Sequence, residues 1–90
     1  MKEKPVSERK DIQKRNGYIL VLLNDDVNTF EHVIKSLVEI CGHDPVQAEQ
    51  CAVITHFRGS CEVKTGSFSQ LTNMKRNLGK RDLNSSVKPL

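Results

Sequence analysis

Tyr18-Ile19-Leu20-Val21-Leu22-Leu23 is an unbroken apolar run that stops abruptly at Asn24-Asp25-Asp26. A run of this length, bounded by turn-forming residues, reads as a buried central strand. The rest of the chain must supply what buries it. Asn28 is expected to open a first helix, with Glu31 three residues on completing a capping box. Phe30, Val33, Ile34, Leu37, Val38 and Cys41 then recur at the spacing of one helical face. Gly42 offers the left-handed position that ends such a helix.

Asp44-Pro45-Val46-Gln47 carries a second start signal, Asp as cap and Pro at the first helical position. Gly59 closes that helix. The short linker makes the pair an αα-hairpin. Cys61-Glu62-Val63-Lys64-Thr65 alternates like a strand with one wet face. Ser67 and Gln70 frame a third helix, with Phe68, Leu71, Met74 and Leu78 inward and Gly79 at its end. Leu83 to Val87 makes a short last strand. The order is β-α-α-β-α-β, a small single α+β domain over residues 17–90. Residues 1–16 are polar and charged apart from Val6 and Ile12, so they are expected to form a flexible N-terminal tail.

Ninety residues allow one domain and one modest core. No stretch approaches the ~20 apolar residues of a membrane span, and Met1-Lys2-Glu3-Lys4-Pro5 lacks a signal peptide's apolar core. A cytoplasmic location is the expectation, with no membrane partner. Cys41, Cys51 and Cys61 are odd in number and widely spaced, which suits a reducing compartment. They form no C-x₂-C pair, so no metal or other cofactor is expected. A thiol hydrolase using Cys51 or Cys61 with His56 would lack a third, orienting group, and the chain reads as a non-enzyme.

The net charge of +3 conceals a division. Residues 1–16 hold six Lys/Arg against three acids, and residues 75–90 five against one. Residues 17–74 hold three Lys/Arg against seven acids. An acidic body suits a cationic ligand better than nucleic acid. Lys75-Arg76 and Lys80-Arg81 come with no Gly-aromatic reading motif and look like a solvated helix face.

Two polar features stand beside apolar ones. Asn24-Asp25-Asp26 lies at the mouth of the apolar strand. His56 shares a face of the second helix with Ala52 and Thr55. If that helix folds back on the strand end, Asn24, an Asp and His56 surround a polar point. Leu22, Phe30, Val33 and Ala52 make an apolar hole beside it. All three polar groups can accept hydrogen bonds, and a primary ammonium has three donors to give. A free protein N-terminus with a bulky first residue is such a ligand.

Leu22-Leu23-Asn24-Asp25-Asp26, Phe30-Glu31-His32-Val33-Ile34, Ala48-Glu49-Gln50 and His56-Phe57-Arg58-Gly59 resemble, in order and spacing, the blocks of the ClpS family. The resemblance implies a three-stranded antiparallel sheet packed on three helices. It implies an adaptor, not an enzyme, that binds N-degron substrates and delivers them to an AAA+ Clp unfoldase, ClpA-like or ClpC-like, through the unfoldase's N-terminal domain. Substrates would begin with Phe, Tyr, Trp or Leu, and the adaptor would act as a monomer. Asn24, one or both of Asp25 and Asp26, and His56 would hold the α-amine; strand alternation favours Asp26. Leu22, Leu23, Asn28, Phe30, Val33, Ala52, Thr55 and Leu83 would line the side-chain pocket. The family often has Met at the positions of Phe30 and Ala52, an aliphatic residue at Thr55, and charged residues at Ser69 and Met74. The alternative is a structural or protein-interaction domain of the same fold that does not recognise N-terminal residues.

Overall fold

The apolar run forms strand β1 (Tyr18–Leu23), and Leu20, Val21 and Leu22 at its centre are at most 7% exposed. The computed structural model describes residues 17–24 and 27–90. The tail assigned to residues 1–16 and the residues Asp25 and Asp26 lie outside the described residues. Helices α1 (Phe30–Cys41) and α2 (Pro45–Arg58) follow, then β2 (Ser60–Gly66), α3 (Phe68–Gly79) and β3 (Ser85–Pro89). The sheet order is β2-β1-β3, with β1 antiparallel to both neighbours. The expected element order and the antiparallel three-stranded sheet are therefore present.

Local chemistry explains the boundaries. Thr29, not Asn28, caps α1: its extended backbone lets Oγ1 accept from the His32 N–H at 3.1 Å. Asn28 sits one residue before that cap, and its side-chain amide donates to the Asp82 carbonyl at 2.8 Å. Asp44 caps α2 through the Gln47 N–H at 2.8 Å, with Pro45 at the first helical position. Gly42 and Gly59 end α1 and α2 at φ 74° and 93°, backbone that a side chain would strain. Ser67 caps α3 as expected. Gly79 is the last residue of α3, as expected, and the positive φ falls three residues later, on Asp82 at 66°. The last strand starts at Ser85 rather than Leu83 because Arg81 and Leu83 still donate back to the Leu78 carbonyl.

One core joins the layers: Leu20 and Leu22 of β1, Leu37 and Cys41 of α1, Ala48 and Cys51 of α2, Leu71 and Leu78 of α3, and Leu83. Phe68 departs from the expected inward set. It is 54% exposed and stands in a T-shaped pair with Tyr18, ring centroids 5.2 Å apart. A register shift between Leu20 and Val21 leaves Val63 of β2 as an extra, bulged residue. Buried His43, from the α1–α2 turn, donates Nε2–H to the Val63 carbonyl at 3.0 Å. The bulge thus ties the helix hairpin to the sheet.

The three cysteines are free thiols. Burial pushes the Cys41 thiol up to about 11 and the Cys51 thiol up to about 12, the latter helped by the neighbouring Cys61 sulfur. Both stay protonated at neutral pH. Because the raised values favour the neutral thiol, their stabilisation is complete below the ordinary value of 9.0 and is lost as pH climbs toward 11. Iodoacetamide at pH 8 is therefore expected to label partly exposed Cys61 first, and Cys41 and Cys51 only after unfolding in guanidinium. Peptide mass mapping reads this directly, and equal labelling of all three in the native chain would contradict it.

Candidate functional site

The end of β1, the start of α1 and the end of α2 meet because backbone bonds fasten them. The Asn24 N–H donates to the Gly59 carbonyl at 2.9 Å, which pins the strand end to the end of α2. The Leu23 N–H donates to the Asn84 carbonyl at 2.9 Å, which brings in the segment after α3. Between these anchors lies a half-open cavity lined by Leu22, Leu23, Asn24, Asn28, Phe30, Val33, Thr55, His56 and Leu83. Its empty volume is about 330 Å³ with the mouth included, and about 40 Å³ counted as positions open to the centre of a water molecule. The interior is the size for one side chain, since a single water needs roughly 10–15 Å³ on the narrower measure.

The walls are apolar and the mouth is polar. Leu22 and Leu83 are 1% and 2% exposed and form the deep surface. Thr55 is buried and spends its hydroxyl proton on the Cys51 carbonyl at 2.8 Å, so it faces the cavity as a satisfied group. Phe30 and His56 stand edge to face at the mouth, centroids 5.3 Å apart, and Phe57 continues the row at 4.8 Å from His56. Among the described residues neither the Asn24 side-chain amide nor the His56 imidazole has a hydrogen-bond partner. Both are exposed at the mouth.

Of the residues expected to line a pocket, the cavity gathers Leu22, Leu23, Asn28, Phe30, Val33, Thr55 and Leu83. Asn24 and His56 join them from the amine-binding set. Ala52 is not among the lining residues; it is buried, at 2% exposure. Asp25 and Asp26 are outside the described residues.

A family model, ClpS: ATP-dependent Clp protease adaptor protein ClpS, matches residues 13–90. The chain belongs to the ClpS family. It is thus a member of a family of Clp protease adaptors rather than a form of the protease. Its fold is similar to that of Agrobacterium tumefaciens ClpS2 bound to L-phenylalaninamide, with a TM-score of 0.77 and 22% identity. That likeness covers 86% of this chain and 99% of the other, and at such identity it speaks for the fold. No curated protein sequence matches the chain. No helix among the described residues is long and apolar enough to cross a membrane.

The ClpS framework also contains residues that sequence reasoning passed over. His32, Ser36 and Arg81 bind around the segment that carries Leu83. The available signal was the polar spacing Asn28, His32, Ser36, a row of every fourth residue beside the apolar face of α1.

Proposed function

We propose that this chain is an adaptor that takes the free α-amine and bulky hydrophobic side chain of an N-degron and passes the substrate to an AAA+ Clp unfoldase. The observation that carries this reading is the cavity, with apolar walls and hydrogen-bond acceptors at its mouth. Asn24, His56 and one or both of Asp25 and Asp26 accept from the ammonium. Leu22, Leu23, Phe30, Val33, Thr55 and Leu83 surround the first side chain, with Asn28 beside them. Phenylalaninamide, the ligand named for the similar ClpS2, is a benzyl side chain next to a free α-amine, which is the same pairing of chemistries. Family membership supports hand-over to a Clp unfoldase, through contacts with its N-terminal domain.

Specificity follows from the donors. A charged amine offers three hydrogen bonds to three acceptors, whereas an internal peptide nitrogen offers at most one and no charge. Acceptors left without donors penalise the wrong partner. The test is fluorescence anisotropy with a Phe-initiated peptide and its N-acetylated twin. Equal affinity for the two would remove the reading.

A further inference from the structure

Leu83 forms part of the cavity wall but lies in the segment between α3 and β3, outside any helix or strand. Its position depends on a set of side-chain bonds from α1 and its entry. Asn28 Nδ2 donates to the Asp82 carbonyl at 2.8 Å. His32 Nε2 meets the Arg81 carbonyl at 2.8 Å, and since a carbonyl only accepts, Nε2 carries the proton. The guanidinium of Arg81 reaches back, Nη1 lying 3.4 Å from Ser36 Oγ and 2.6 Å from Glu39 Oε1. Ser36 is fully buried, so this return bond is sheltered.

Consecutive carbonyls, of Arg81 and Asp82, are therefore each held by a side chain of α1 or its entry. Asp82 adopts a left-handed backbone at φ 66°, which turns the chain so that the Leu83 N–H donates to the Leu78 carbonyl at 3.0 Å. The next residue, Asn84, accepts from Leu23 at the cavity's opposite side. Leu83 is thus fixed from before and after, with its side chain 2% exposed.

We propose that this clamp, with His32 as its positioning residue, fixes the Leu83 wall and so sets the length of first side chain the pocket accepts. The inference rests on the pocket reading above. A wall that cannot yield discriminates by size; a loosened wall gives way to a larger ring and loses little with a small one.

The test uses the full chain and three peptides that differ only in beginning with Leu, Phe or Trp. His32→Phe keeps a ring but removes the donor, and His32→Gln keeps a donor of similar reach. His32→Phe is expected to shift the Trp-to-Leu affinity ratio about 5-fold or more toward Trp, within the range one or two carbons can command. His32→Gln is expected to keep the wild-type ratio. A merely structural role would weaken all three peptides alike, and that result, or an unchanged ratio in His32→Phe, overturns the proposal. Amide hydrogen exchange at Leu83 and Leu23 provides an arm independent of binding: both should exchange faster in His32→Phe as the segment opens locally. A wild-type chain that binds none of the peptides overturns the pocket reading and the selectivity built on it. Unchanged exchange then overturns the clamp as well.

Discussion

Acetylating the first residue of a Phe-initiated peptide is expected to weaken its binding about 100-fold, from roughly micromolar into the range above 100 µM. On the proposed reading, the free peptide would bring an ammonium to the mouth beside Asn24 and His56 and a ring to the walls of Leu22 and Leu83, which line the cavity. Charge-assisted hydrogen bonds contribute about 1.5–3 kcal/mol each, and burial of a Phe side chain contributes about 1.5–3 kcal/mol. Acetylation removes the charge and all but one donor while the ring is unchanged. Loss of about 3 kcal/mol corresponds to the expected factor. His56→Ala should fall in the same direction with the free peptide and change little with the acetylated one. A His56→Ala chain that binds the free peptide as the wild type does would take His56 out of the site.

Leu20→Ala is expected to cost about 2–5 kcal/mol of folding stability, the usual range for a Leu removed from a packed core. Leu20 is fully buried in the central strand, with β2 on one side and β3 on the other. A domain of this size has about 5–15 kcal/mol in total, so the change takes a large share of it. The melting temperature should fall by about 4–8 °C per kcal/mol. Phe68→Ala is the control, because Phe68 is larger but 54% exposed and touches mainly Tyr18. Its cost should be about 1 kcal/mol. Guanidinium titrations of the two variants decide it, and equal midpoints would contradict the burial pattern.

The strongest periodic signals proved sufficient for the architecture. Six apolar residues in a row placed β1 at the centre, and Asp44-Pro45 and Ser67 marked helix starts that the structure uses. The start of α1 was less legible because Asn28 and Thr29 are both good caps. The choice went to Thr29 because the Asn28 amide binds the Asp82 carbonyl, a contact across the chain that no local rule reveals. The end of α3 at Gly79 was legible, but the turn that follows it was not, for a related reason. Asp82 takes the left-handed conformation beside bonds from Asn28 and from His32 of α1, contacts that lie about fifty positions away in the chain. The polar mouth was readable at Asn24 and His56, which come from a strand end and a helix end. Ala52, expected on the same face of α2, is buried and is not among the residues that line the cavity.

The cavity draws its walls from both ends of the described segment, and the bond from Asn28 to Asp82 spans 54 positions. Loop closure over such a distance comes late in assembly, after the local helices have formed. A chain emerging from the ribosome only as far as α3 would lack Leu83, and the cavity would have its rim without its back wall. On the proposed function, a first side chain finds its full socket only once the segment carrying Leu83 has joined the strand end and the helix hairpin.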